Sequence, residues 1–313
     1  MPDDRPLIYA RHLVKRYGSA VAVDGIDLNV GRGQAFGFLG PNGAGKSTTM
    51  RMIGCVSRPS DGELSVLGLD TATQGPAIRA RLGVVPQEDT LDTEITLFEN
   101  LVIYARYFGI KYKVAKERAR ELLDFVKLSD RADVKVEELS GGMKRRLTIA
   151  RALVNEPDII MLDEPTTGLD PQARHLVWER LFRLKQRGIT IILTTHYMDE
   201  AEQLCDRLVI MDAGRIAAEG SPRELIDAHV TREVVELRFE GRHTDELSDI
   251  ADKLDGIDAQ VEALPDRILL YANDGDAAMS EVHGRAITPS SLLARRATLE
   301  DVFLRLTGRS LIE

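Results

Sequence analysis

Two stretches of this chain hold residues whose types and spacing could do chemistry on a nucleotide. The first is Gly40-Pro41-Asn42-Gly43-Ala44-Gly45-Lys46-Ser47, followed by Thr48, placed between the apolar run AFGFLG and the helix-like KSTTMRMIG. Glycines at that spacing let the backbone wrap a phosphate so that several N–H groups point at it, and a helix start adds a favourable dipole. Lys46 would neutralise the β- and γ-phosphates, and the Ser47 hydroxyl would coordinate Mg²⁺. The second stretch, IIMLDE at 159–164, reads as a strand ending in two carboxylates. Asp163 can hold the Mg²⁺ shell, and Glu164 can accept a proton from an attacking water. Alone, a strand followed by Asp-Glu is as readily a solvated strand end; the glycine-rich loop upstream gives it weight.

These groups need strands and helices to hold them. Residues 7–39 read as strands, with Val21, Val23, Ile26, Leu28 and Val30 alternating before the glycine loop. Short strands come next at GELSVLG and RLGVVP. From 96 to 155 the pattern turns helical. Thr96 and Glu99 fit a capping box, and Leu97, Leu101, Tyr104, Ala105 and Phe108 then share one helical face. A second helix carries Ala119, Leu122, Leu123 and Val126; a third starts at Ser140 and carries Met143, Leu147, Ala150 and Val154. DIIMLDE and ITIILTTH are apolar runs of the kind found in doubly covered parallel sheets. Between them a helix has Asp170 as N-cap, Pro171 first and Gly188 past its end.

The expected architecture is an α/β core with a mixed sheet and an inserted helical subdomain near 88–155, within a domain of residues 1–228. A second domain, 229–313, reads strand-helix-strand-strand-helix-strand, the α+β ferredoxin-like order, with a final helix capped by Thr298 and closing at Gly308. That final helix should bury Leu299, Val302, Phe303 and Leu306.

Of the 313 residues, 43% are hydrophobic and 29% charged, an ordinary globular balance. A net charge of −9 speaks against a nucleic-acid coat or a polybasic membrane anchor. Cys55 and Cys205 have no metal spacing and read as small buried hydrophobes rather than a disulfide. The opening MPDDRPLIYARHL lacks a signal-peptide layout, and no apolar run approaches the roughly 20 residues that span a bilayer. The expectation is a cytoplasmic protein that meets a membrane only through a partner. His243 and His283 are isolated.

With LSGGMKRR at 139–146 the chain resembles the ATP-binding cassette family of transporter ATPases. The resemblance implies that Ser140, Gly141 and Gly142 grip the γ-phosphate of ATP held by an opposite subunit. It gives Gln87 in VVPQED the role of the loop glutamine that touches Mg²⁺ or the lytic water. It makes Asp170, ending TTGLD, part of a dimer contact at the nucleotide, and His196 the residue that contacts the γ-phosphate and holds the water in line. Tyr17 in KRYG would stack on adenine, although a lone Tyr is more commonly core. Glu164, His196, Gln87 and Lys46 are thus the candidate catalytic residues, and Ser47, Gln87 and Asp163 the candidate metal ligands. Met143 stands where the family at large commonly has Gln, a variant familiar in type-2 exporters. The same motifs with the tail TLEDVFLRLTGR are similar to ATPases of nodulation-factor and daunorubicin-type exporters, which carry lipo-oligosaccharides or confer antibiotic resistance.

The resemblance implies ATP and Mg²⁺ as cofactors, a dimer of two copies or of two related ATPases around two ATP molecules, and a separate membrane permease beside Gln87. No nucleic-acid partner is expected. The candidate docking surface is Asp89–Phe108, where Phe98 and Tyr107 fall off the apolar stripe. Two rival readings stay open from the sequence. A soluble cassette ATPase on ribosomes or DNA shares the nucleotide motifs but usually brings a second cassette or long insertions. A kinase or GTPase-like switch would not need LSGGM, and no N-K-x-D stretch is present.

Overall fold

The computed structural model describes residues 5–239, 244–285 and 287–307. The chain divides into two compact units, 1–221 and 222–313.

In the first unit a six-stranded sheet carries the site. Its core strands are β3 (Ala35–Leu39), β6 (Leu82–Val85), β7 (Ile159–Asp163) and β8 (Thr190–Thr195), with β9 (Arg207–Asp212) and β10 (Arg215–Gly220) at one edge. The spatial order is β10-β9-β3-β8-β7-β6. All neighbours run parallel except the β9/β10 hairpin, so the sheet is mixed. Every residue of β3 and β8 is buried, as expected of strands covered on both faces. Parallel pairing puts the carboxyl ends of β3, β8, β7 and β6 along one edge, with Leu39 opposite Thr195 and Asp163 opposite Thr194. In open α/β sheets that edge is where ligands bind.

A second, antiparallel sheet is formed by β1 (Ile8–Tyr17), β2 (Ala20–Val30), β4 (Asp61–Val66) and β5 (Leu69–Asp70) in the order β2-β1-β4-β5. Helix α1 (Lys46–Ile53) packs between the two sheets through Met50, Met52 and Ile53, and α2 (Gly75–Arg79) is a single turn before β6.

The expected helical insertion has its own core. Helices α3 (Leu97–Tyr107), α4 (Tyr112–Phe125) and α5 (Gly141–Ala152) bury Leu97, Leu101, Ala119, Leu123 and Leu147 in one cluster. The Thr96–Glu99 capping box is formed in both directions: the Glu99 amide donates to Thr96 Oγ1 at 3.2 Å, and the Thr96 amide to Glu99 Oε2 at 2.9 Å. After β7, helix α6 (Pro171–Gln186) starts at Asp170, whose carboxylate accepts from the Ala173 amide at 2.8 Å. Helix α7 (Met198–Leu204) then leads into β9. Cys205 is buried against Gly37, and neither cysteine is bonded to the other.

The second unit begins earlier than expected. Its first element is α8 (Pro222–His229), which packs on α11 (Leu299–Thr307) and so belongs with the C-terminal elements rather than with the sheet core. Between them lie β11 (Glu233–Arg238), α9 (Thr244–Lys253), β12 (Ala259–Ala263), β13 (Arg267–Ala272), α10 (Gly275–Gly284) and β14 (Ser291–Arg296). The antiparallel order β12-β13-β11-β14 is the ferredoxin-like one. Asp301 anchors α11: its carboxylate is fully buried, accepts from the Thr298 amide at 2.8 Å, and takes both arms of the Arg295 guanidinium at 2.7 and 2.8 Å. Leu299, Val302 and Phe303 are buried; Leu304 joins them, whereas Leu306 is only half-buried. Gly308 and His243 lie outside the described residues, and His283 bonds its own helix at Met279 O.

No helix among the described residues is long and apolar enough to cross a membrane.

Candidate functional site

The glycine loop joins β3 to α1 at the carboxyl edge of the large sheet. Gly45 takes φ +102°, and a Cβ there would stand 2.5 Å from Ala22 O, so both the conformation and the space require glycine. Gly43 has φ +82° and open space where a Cβ would project, which leaves the mouth of the loop clear. The Lys46 ammonium is buried and donates to Gly40 O at 2.6 Å and Pro41 O at 3.0 Å, closing the loop on itself. Burial lowers its pKa, while the carboxylates of Glu164 and Asp163 pull it back up. The buried ammonium supplies a counter-charge for a polyphosphate, and the two carboxylates beside it offset part of that charge and favour a bridging cation.

At the end of β7, the Asp163 carboxylate accepts from Ser47 Oγ at 3.3 Å and from the Thr194 hydroxyl. Thr194 in turn accepts from the Glu164 amide at 3.1 Å, and its carbonyl takes the same amide. These bonds hold Glu164 at φ +46°, an uncommon left-handed conformation for a non-glycine residue, and aim its side chain along the sheet edge. Gln87, just beyond β6, donates from Nε2 to Glu164 Oε2 at 2.9 Å. Thr167 donates to the same oxygen at 3.3 Å. His196, just beyond β8, places Nδ1 3.2 Å from Glu164 Oε1; the two are in contact but not aligned as a hydrogen bond. Gln87, Glu164 and His196 thus meet at one carboxylate, with Ser47, Asp163 and Lys46 beside it.

The other expected residues stand elsewhere. Ser140 caps α5 by accepting from the Met143 amide at 3.4 Å. A Cβ on Gly142 would come within 2.8 Å of Ala173 Cβ, so the start of α5 lies against the start of α6, next to Asp170. Among the described residues no hydrogen bond joins Ser140, Gly141, Gly142 or Asp170 to the glycine loop. Tyr17 ends β1 with 49% of its surface exposed and Lys15 Nζ 4.9 Å over one face of its ring, a surface aromatic rather than a core residue.

Two residues central to this geometry lie within the quoted stretches LSGGMKRR and ITIILTTH but carry no role in the sequence reading. One is Thr194. The other is Arg145, a buried guanidinium on α5 that bonds only main-chain carbonyls: Pro165 at 2.7 Å, Asp163 at 2.9 Å, Glu164 at 3.1 Å, and Pro86. Arg145 therefore ties α5 to the backbone of Asp163 and Glu164 and to the segment that carries Gln87. Arg145, Thr148, Ile149 and Ala152 form one buried stripe of α5, and a cation in register with such a stripe is the signal the sequence offers.

Behind His196, Glu200 is fully buried, accepting from Thr166 at 2.8 Å and Trp178 at 3.2 Å while Oε2 has no hydrogen-bond partner. Burial pushes its pKa up against those hydrogen bonds. Above 4.5, the ordinary value, the folded state therefore binds this proton more tightly than the unfolded chain, so the group costs stability as pH rises. Glu200→Gln should unfold at higher urea than the parent near neutral pH, with the gap shrinking toward about pH 4; a gap that grows on acidification would contradict it.

An ABC transporter family model matches residues 23–167, and a model of the C-terminal domain of the nodulation factor export protein NodI matches 248–308. The Nod factor export ATP-binding protein I of Cupriavidus metallidurans is 48% identical over 305 residues, 97% of this chain and 98% of that protein. This chain belongs to the ABC transporter family. The protein of the same name from Ralstonia nicotianae is 46% identical over 310 residues, 98% of this chain and 95% of that one. Among solved structures, cbiO1 of Clostridium perfringens, part of the ABC transporter complex cbiONQ, superimposes with a TM-score of 0.67 at 29% identity, covering 72% of this chain and 92% of its own. A dimeric ATP-binding cassette in a post-hydrolysis state with ADP and Pi gives 0.63 at 28% identity, covering 68% and 98%. This ABC protein is accordingly an ATP-binding, ATP-hydrolysing subunit.

The residues present suit Mg²⁺ as well as ATP. Ser47 Oγ and Asp163 Oδ1 bring together two hard oxygen donors of the kind Mg²⁺ takes, beside a loop whose mouth is open.

Proposed function

We propose that this chain is the motor subunit of an exporter whose cargo is of the nodulation-factor class, working on the cytoplasmic face of a membrane with a separate permease. The observation that carries the motor reading is the convergence of Gln87 and His196 on Glu164, beside Ser47, Asp163 and Lys46. The cargo class is supported by the relatives' name over nearly the full length, second unit included.

In this reading Lys46 and the loop amides hold the β- and γ-phosphates, and Tyr17 offers its exposed face to adenine. Mg²⁺, held by Ser47, Asp163 and Gln87, would neutralise charge developing on the phosphates. Glu164 accepts the proton of the attacking water, and Gln87 fixes which carboxylate oxygen is free to do so. His196, in contact with the other oxygen, orients that water and the γ-phosphate. Ser140, Gly141 and Gly142 present a helix N-terminus with no side-chain bulk, and Asp170 lies beside them. Ser140 caps its own helix and none of these residues bonds the glycine loop of the same chain among the described residues, which supports their supply by a second copy. The expected test is sedimentation of Glu164→Gln with and without ATP: monomer alone, dimer with ATP, and no dimer when Gly141→Asp is added, a position where a side chain meets nothing in its own chain. A dimer that ignores both ATP and Gly141→Asp would remove the shared site.

The permease surface needs a correction. Phe98 is half-buried against the helical core with the Arg120 guanidinium 5.5 Å over its ring, so it is not a free docking residue. Tyr107 is 80% exposed and borders a cleft of about 410 Å³ with Val84, Pro86, Ile103 and Tyr104, one residue from Gln87. The cleft is mixed, with Thr90, Asp92, Asn100 and Arg151 also lining it, and the exposed Val84, Ile103 and Tyr107 at its border suit an amphipathic helix from a membrane subunit.

A further inference from the structure

A cavity of about 800 Å³ opens among α4, the turn after α5 and the C-terminal half of α6. Its size is that of a small-molecule site, and none of the nucleotide-site residues lines it. Phe125, Leu153 and Ile189 give it apolar walls. Five cationic side chains face three acidic ones around it, in a chain whose net charge is −9.

Arg180 is the decisive residue. It is 1% exposed, and both Nε and Nη2 lack a hydrogen-bond partner. Its nearest carboxylate, Glu179, stands 3.7 Å away and already bonds Arg183 at 2.7 Å. A buried guanidinium left in that condition is costly, and its contact with the Phe125 ring leaves those two nitrogens unsatisfied. Arg187 lies over the same Phe125 ring, its guanidinium 4.9 Å from the centroid against 5.6 Å for Arg180. Among the described residues no ion pair holds Arg187. Two cations against one ring repel each other, and an anion shared by both would relieve the repulsion. Arg118, by contrast, is already satisfied by Val154 O at 2.6 Å and Glu156 at 2.8 Å.

We propose that this cavity binds an amphipathic organic anion, with a phosphate, sulfonate or carboxylate group held by Arg180 and Arg187 and an apolar body lying on Phe125, Leu153 and Ile189. Guanidinium forks match such oxyanions, and the half-apolar wall disfavours a bare inorganic ion. Helix α4 belongs to the helical cluster, whereas α6 packs on β8, so an occupant ties the inserted helices to the sheet core. This site is independent of the nucleotide site.

The test is a fluorescence titration of the full chain with anilinonaphthalene sulfonate, an aromatic sulfonate that brightens in apolar surroundings. The expected result is one saturable site, weakened about tenfold or more by Arg187→Gln, unchanged by Lys46→Ala, and lost in Arg180→Leu. Arg180→Leu should also melt no lower than the parent, because it removes an unpaired buried charge. Should Arg180→Leu fail to fold, Arg187→Gln decides alone, since its side chain is exposed. Absence of saturable binding, equal binding in Arg187→Gln, or loss in Lys46→Ala in place of Arg187→Gln would each overturn the proposal.

Discussion

Glu164→Gln is expected to bind ATP as tightly as the parent and to lose turnover by about two orders of magnitude or more. The substitution keeps the volume of a side chain whose surroundings are fixed by Gln87, Thr167 and the left-handed backbone at φ +46°, so the fold has no reason to change. What disappears is the carboxylate on which residues from both flanking strands converge. Lys46→Ala is the informative contrast. It removes the buried ammonium that closes the loop on Gly40 and Pro41, so ATP binding itself should weaken. Single-turnover hydrolysis beside equilibrium ATP binding separates the two. Near-normal hydrolysis by Glu164→Gln would rule that residue out as the base.

Arg145→Ala should be the most damaging change away from the phosphate loop. It strips a buried donor from the carbonyls of Pro86, Asp163, Glu164 and Pro165, each left without that partner. Even partial rescue by water leaves an expected cost of about 3 kcal/mol, roughly 6–12 °C of melting temperature for a unit of this size. Arg145→Lys keeps the charge but presents one point donor where a planar fork spans two chain segments, so it should recover only part of the loss. If Arg145 positions the site, the surviving folded fraction of Arg145→Lys will show a lower kcat with ATP binding little changed. Equal loss of stability with kcat intact would make the residue purely structural.

Much of the fold and site is legible in the sequence because the decisive signals are local. The glycine loop, the strand ending in Asp163-Glu164, the Thr96–Glu99 box and the Asp170-Pro171 helix start each depend on neighbours within a few residues. The meeting of Gln87 and His196 at Glu164 is implied only through family resemblance, since residues 77 and 32 positions apart share no local pattern. Sheet order brings them together: β6, β7 and β8 lie side by side and end at one edge. Arg145 is hard to see in the sequence because its partners are main-chain carbonyls, which leave no mark on side-chain spacing. Helix α8 is equally faint, because eight residues with one buried leucine give little periodicity, so the expected domain boundary falls at its end instead of its start. Phe98 misleads for a related reason: it lies off the stripe of its own helix, yet Arg120 of α4 covers it from the side.

The most direct measurement is to load tagged Glu164→Gln with ATP, extract membranes in mild detergent, and identify what co-purifies, with Ile103→Asp as the paired variant. A polytopic membrane protein should accompany the parent and fall away from Ile103→Asp, whose side chain borders the cleft beside Gln87 while leaving the nucleotide site untouched. Recovery of ribosomes or nucleic acid with no membrane protein would leave the ATP site as described and contradict the exporter reading.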